Sequence, residues 1–288
     1  MSRQMNPVSD TAYFTCGARA DDAQKANPVC GDRYASRFLD ETGKAVYRQF
    51  RKESGPMASI VARHRLIDDL LRERIAGNPD TAIILLGAGF DSRAFRLDGG
   101  RWIEIDEPQV IERKDAVLPT SDCRNPLRRI AMDFSKETLI DKLPPFAATN
   151  PVVVVMEGIF FYLDDAQRDA TLHALRQKYP RHSLICDLSS RAFMERYGKP
   201  LARRIAALGA RMPLLPEAPA EHFLAAGYSL EARYSIMEKM FAYAGNWMAT
   251  LASWLLPRTV REGLALYVFR LVPGANAAES RPVGQAQR

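Results

Sequence analysis

The chain has 288 residues, 47% hydrophobic and 26% charged, with 40 Lys and Arg against 34 Asp and Glu for a net charge of +6. That balance excludes a disordered or fibrous protein and allows a sizeable buried core. The basic residues are spread along the sequence instead of forming a block, so a surface suited to anionic small molecules is expected and a nucleic-acid partner is not.

Residues 1–80 read as mainly helical, with turn signals at Asn27-Pro28 and Gly55-Pro56. The clearest helix covers 59–75, where Ile60, Ile67, Leu70, Leu71 and Ile75 recur at helical spacing before the stop at Gly77-Asn78-Pro79. A short apolar run at 82–86 then suits a strand buried on both faces, and further strands are expected at 102–105, 129–132, 152–156 and 183–190. Asp164 and Gln167 have the spacing of a capping box opening a helix after the fourth strand. Strands alternating with helices imply right-handed crossovers, hence a doubly wound, Rossmann-like α/β fold with a mostly parallel sheet.

From 191 to 228 a helical pattern broken by Pro213, Pro216 and Pro219 reads as an insertion over the sheet edge. Two β-compatible runs, 229–233 and 264–272, are expected to close the sheet as a hairpin, and 273–288 reads as a disordered tail. The apolar stretch WMATLASWLL at 247–256 falls short of the roughly 20 residues a membrane span needs and is expected to be a buried helix. The first residues lack the apolar core of a secretory signal. Cys16, Cys30, Cys123 and Cys186 form no C-x-x-C pair and the histidines are scattered, so no metal site or disulfide framework is indicated. A cytoplasmic protein without a membrane partner is the resulting expectation; the oligomeric state is not legible.

The stretch AIILLGAGFDSRAFRL, 82–97, opens like a nucleotide-binding fold but breaks the dinucleotide fingerprint. Gly87 and Gly89 are in place, Ser92 replaces the third glycine, and Asp91 brings a carboxylate where a pyrophosphate would lie. In such a sheet ligands sit at the carboxyl ends of the strands, so the residues after each strand are the ones to read. They are Asp106 in WIEIDEP, Asp133 and Phe134, and Glu157 and Tyr162 in MEGIFFYL. Singly each has a plain reading: Asp106 and Asp133 as helix caps, Glu157 as a surface carboxylate. Together Asp91, Asp106, Asp133 and Glu157 would crowd one edge and must be solvated, protonated or matched to a cation and hydroxyl donors. S-adenosylmethionine offers a ribose diol, an ammonium and a sulfonium without phosphate, and NAD would bring the wrong charge. Arg63 falls near an apolar helical stripe, where it either snorkels or meets an anion such as a methionyl carboxylate.

In order along the chain, VSDTAYFTCGARADD, GDRYASRFLD, ARHRLIDDLL, LLGAGFDSRAFRL, WIEIDEP and MEGIFFYLDD resemble the leucine carboxyl methyltransferase family, whose members include polyketide carboxyl methyltransferases. The resemblance runs from about 8 to 272, and Asp91-Ser92-Arg93 follows its bacterial branch. It implies a class I S-adenosylmethionine-dependent O-methyltransferase with a seven-stranded sheet, an N-terminal helical cap over 1–80, a core over 81–272 and a lid at 191–228. It places Arg63 on the methionyl carboxylate, Gly87 and Gly89 beneath the cofactor, Asp106 on the ribose, Asp133 and Phe134 at the adenine and Glu157 near the ammonium. Where eukaryotic members carry a C-K-R-like segment, this chain has Cys16-Gly17-Ala18-Arg19. The expected substrate is a small-molecule carboxylate, with a hydroxyl acceptor or a non-catalytic binding role as the alternatives. Tyr13, Phe14, Phe161, Tyr162, Phe193 and Tyr197 are candidates to line the acceptor pocket. Tyr162 and His64 are the candidate catalytic residues.

Overall fold

In the computed structural model, residues 7–51, 54–147, 149–213, 215–245 and 247–271 are described. The strands are β1 (Ala82–Leu86), β2 (Arg101–Asp106), β3 (Leu127–Ala131), β4 (Val152–Met156), β5 (His182–Ser189), β6 (Ser229–Ser235) and β7 (Leu264–Leu271). They form one seven-stranded sheet in the order β3-β2-β1-β4-β5-β7-β6. Pairings from β3 through β5 are parallel, with Ile84 opposite both Ile103 and Val154, while β7 runs antiparallel between β5 and β6. Every residue of β1 and β4 is buried, as continuous Ile, Leu and Val runs require when both faces are covered.

The helices are α1 (Pro7–Ala23), α2 (Glu41–Arg48), α3 (Ser54–Gly77), α4 (Arg93–Arg96), α5 (Pro108–Val117), α6 (Leu139–Lys142), α7 (Asp165–Lys178), α8 (Arg191–Phe193), α9 (Lys199–Ala207), α10 (Glu221–Ala225), α11 (Ile236–Tyr243), α12 (Trp247–Ser253) and α13 (Arg258–Arg261). The capping box at Asp164 forms with both of its hydrogen bonds, which starts α7 directly after the β4 loop. Helix α3, grouped with the cap from sequence, lays Leu66, Ile67, Leu70, Leu71 and Ile75 against Ile83, Leu85, Val153 and Val155 and so is a layer of the sheet.

The remaining cap is pinned to the β1 loop through aromatic contacts. Phe38 stacks on Phe90 with ring centroids 5.0 Å apart, Tyr13 lies 4.9 Å from the same ring, and Phe14 stacks on Phe50 at 4.3 Å. Val110 of α5 and Ile205 of α9 join that cluster, so cap, sheet and insertion share one apolar junction.

Two expectations change. The connection between β6 and β7 is no tight turn, because α11, α12 and α13 lie between the paired strands. The 247–256 stretch is not a buried helix: Trp247, Met248, Leu251, Trp254 and Leu255 are all more than 60% exposed. α12 covers only seven of these residues, Trp247–Ser253, and Trp254 and Leu255 follow it outside the helix. The expectation for 273–288 lies outside the described residues.

Candidate functional site

The strand order reverses between β1 and β4, and there the two following loops must part, leaving a crevice at their carboxyl ends. Gly87 opens the β1 loop at φ +68° and Gly89 follows at φ +48°, backbone angles that side chains rarely adopt. A Cβ on Gly87 would stand 2.6 Å from Ile159 Cδ1, so glycine keeps this wall open. From β2, Asp106 reaches across: its Oδ2 accepts from the Gly89 amide at 2.6 Å and its Oδ1 from the Glu107 amide at 2.7 Å. It therefore ties two loops together instead of capping α5. Burial pushes its carboxyl above the usual range, and the two amides partly offset that.

These residues line a cavity of about 540 Å³. One end carries Arg19, Arg63, Asp91, Asp106 and Glu157; most of the remaining lining is apolar, with walls from α1, the insertion and α11, though Ser9, Thr11, Thr15, Ser59 and Gln167 are polar. Of the aromatic candidates, Phe14, Phe161, Tyr162, Phe193 and Tyr197 line it. Tyr13 does not, being packed on Phe90 in the cap.

Behind the polar end lies a connected ion-pair network. Arg93 is fully buried, donating from Nε to Asp68 at 2.6 Å and from Nη1 to Asp91, with Glu157 Oε2 2.9 Å from Nη1. Arg63 donates from Nε to Glu157 Oε1 at 3.0 Å and from Nη1 to Asp187, while Arg96 pairs with Asp68 at 2.6 Å and Asp32 at 3.6 Å. Arg19 closes the chain on Asp32 at 3.0 Å. Four guanidiniums (Arg19, Arg63, Arg93, Arg96) thus face five carboxylates (Asp32, Asp68, Asp91, Glu157, Asp187), a formal excess of one carboxylate with His64 neutral, and burial pushes the Asp187 carboxyl above its usual range. Burial opposes the charge on Glu157, but Arg93 and then Arg63 hold its carboxyl well below the usual range. Such a network favours a cationic ligand group at its cavity face.

The predicted residues fare differently. Gly87, Gly89, Asp106, Phe134 and Glu157 meet at the cavity, as does Arg63, which is already paired to Glu157 and Asp187 through Nε and Nη1. Its Nη2 lies beside Gly158, which also lines the cavity. Asp133 is not among the lining residues: it closes its own turn on the Ser135 amide at 3.0 Å and on Lys136 at 2.8 Å. His64 is also absent from the lining, and its candidacy as a base does not survive. Its ring is fully buried, with Nε2 2.7 Å from Arg96 Nη2 and Nδ1 2.7 Å from Arg93 Nη2. Burial, then Arg93, push its pKa below the ordinary value.

His64, Asp91 and Glu157 bring possible ligand atoms within 4.8 Å, a metal-like spacing, but the Arg93 guanidinium lies among them and is the cation they close on. Asp91, expected to repel a pyrophosphate, is neutralised by that same guanidinium. What disfavours a dinucleotide is instead α4, a single turn of four residues that offers little helix N-terminus to a pyrophosphate. Sequence reasoning missed Asp32, Asp68 and Asp187. The readable signal at Asp187 is a carboxylate inside LICDLS, a strand otherwise built for burial.

A model of the leucine carboxyl methyltransferase family matches residues 12–176, more than half of the chain. The Tetracenomycin polyketide synthesis O-methyltransferase TcmP of Streptomyces glaucescens is 29% identical over 187 residues, covering 64% of this chain and 67% of that protein. In a Mycobacteroides abscessus relative, 27% identical over 184 residues, the match covers 58% of this chain and 61% of the relative. Among solved structures, a DUF574-family protein of Streptomyces avermitilis shares the fold with a TM-score of 0.56 at 15% identity, covering 91% of this chain and 99% of the other. With the motifs brought together at the β1/β4 crevice, the chain belongs to the leucine carboxyl methyltransferase family.

Proposed function

We propose that the chain is an S-adenosylmethionine-dependent O-methyltransferase acting on a carboxylate of a small, largely apolar molecule. The observation that carries this reading is the two-ended cavity: Asp106, fixed by two backbone amides, and a network with one carboxylate in formal excess at one end, continuous with an aromatic and aliphatic chamber at the other. When bound, S-adenosylmethionine supplies a methyl group made electrophilic by its sulfonium.

The chain's own residues hold and shield. Each Asp106 oxygen spends one lone pair on a backbone amide and keeps the other for a hydroxyl donor. Arg63 Nη2 faces a ligand carboxylate while Nε and Nη1 stay fixed by Glu157 and Asp187. The excess charge of the network balances an ammonium or sulfonium, and Phe134 packs against a flat ring. Phe14, Phe161, Phe193 and Leu201 keep water from the acceptor, which suits a displacement governed by alignment.

A carboxylate acceptor is favoured over a hydroxyl because no histidine lines the cavity among the described residues. Burial raises the Tyr162 pKa, so the phenol stays protonated and serves as a donor to the acceptor, not as a base. The test is to incubate the protein with methyl-tritiated S-adenosylmethionine and panels of apolar acids and phenols. Label that leaves as methanol in mild base supports the ester; base-stable label refutes the carboxylate assignment.

A further inference from the structure

The exposed apolar side chains of α12 and of the two residues after it are absorbed by neither the fold nor the cavity. Trp247, Met248, Leu251, Trp254 and Leu255 stand 69%, 64%, 62%, 65% and 89% exposed, a density of large apolar side chains that a solvated surface does not need. Two more exposed apolar residues, Val8 and Tyr197, also line the cavity and mark its rim. The helices on either side of α12 contribute to the same cavity through Met237, Met240 and Val260. Patch and cavity mouth thus belong to one side of the molecule.

The charge next to this side is basic. Between 191 and 211 the sequence has Arg191, Arg196, Lys199, Arg203, Arg204 and Arg211 and one acid, Glu195, so this segment carries a formal +5, with Arg191 paired to Glu217 beyond it at 3.7 Å. Arg196, Lys199, Arg203 and Arg211 are exposed, as is Arg258 at the start of α13. The segment meets the stretch that follows the patch in sequence through Phe193, which packs beside Gly263, two residues after α13 ends.

We propose that this face docks on an anionic lipid bilayer, with Trp247 and Trp254 in the headgroup boundary and the basic 191–211 segment over the lipid phosphates. Tryptophan prefers that boundary, and clustered Lys and Arg add affinity for anionic leaflets. Two other occupants fit less well. A second copy would bring two +5 segments together, and residues 272–288 carry only Val272 and Val283 as large apolar side chains. No described helix is long and apolar enough to cross a membrane, so the contact is superficial. It rests on no part of the methyl-transfer reading.

The test is cosedimentation of the full chain with vesicles of phosphatidylcholine alone or mixed with phosphatidylglycerol. Binding to the mixed vesicles is expected, weaker by about tenfold or more on phosphatidylcholine alone or in roughly 0.5 M salt. Trp247→Ala with Trp254→Ala should lower binding about tenfold with an unchanged melting temperature. Lys199→Glu with Arg203→Glu should act similarly while leaving the apolar patch intact. Tryptophan emission should shift to the blue on binding, since Trp102 is already buried and only the other two can respond. No sedimentation with anionic vesicles, or a double tryptophan variant that binds like the wild type, overturns the proposal. So does a concentration-dependent dimer that the tryptophan variant dissolves, which would make a second copy the occupant.

Discussion

Asp106→Asn separates the two jobs assigned to this carboxylate. In the folded chain its oxygens accept from Gly89 N and Glu107 N at 2.6 and 2.7 Å, so the side chain is already fixed in position without any ligand. Asparagine is nearly isosteric but offers one acceptor oxygen, and its NH2 must face one of those amides donor to donor. That mismatch costs about 1–3 kcal/mol of stability. The oxygen that remains also loses its charge, so hydroxyl contacts of the charge-assisted class, each about 1.5–3 kcal/mol, are weakened or lost. The expected result is a Kd for S-adenosylhomocysteine raised about 10- to 150-fold, with the melting temperature lowered by only several degrees. Calorimetric titration at a temperature well below the melting point reads the first quantity free of the second. A variant that binds within about twofold of wild type refutes ribose binding by Asp106 and leaves it as a loop tie.

Arg63→Lys should destabilise the protein by about 3–5 kcal/mol and weaken S-adenosylhomocysteine, because one ammonium cannot replace a fork held by both Glu157 and Asp187; wild-type binding and melting would show a packing role. Gly87→Ala meets Ile159 at 2.6 Å with φ +68° and should cost about 1–3 kcal/mol in thermal unfolding, together with ligand affinity. The pKa values of His64 and Glu157 are depressed on folding, so the unfolded chain binds more protons as pH falls. Melting temperature should therefore decline below about pH 6.5, where unfolded His64 takes up its proton, and again below about 4.5 for Glu157, and Glu157→Gln should flatten the second decline. If a carboxylate is the acceptor, methyl transfer at saturating cofactor should vary little between about pH 6.5 and 8.5, and His64→Gln should keep most of it once folded.

Much of the sheet is legible because its signal is local. The runs at 82–86 and 152–156 are apolar throughout and bounded by turn residues, and both strands form over those spans. The residues that end β1, β2 and β4 were readable for the same reason: topology alone sends strand tips to the crevice. The pairing of charges was not. From sequence Arg63 either snorkels or meets an anion, and in the structure Asp187 reaches it from 124 residues away, a contact that no spacing encodes. Asp91 was read as a free charge although its partner, Arg93, stands two residues on. Composition also misled at 247–256, where apolar residues were equated with burial and Trp247 and Trp254 stand exposed.

The central claim is that the β1/β4 crevice holds S-adenosylmethionine and not a dinucleotide. Parallel calorimetric titrations of the purified chain with S-adenosylhomocysteine and with NAD test it most directly. Saturable binding of one equivalent of S-adenosylhomocysteine, with no heat from NAD, is the predicted result; binding of NAD without S-adenosylhomocysteine would contradict it.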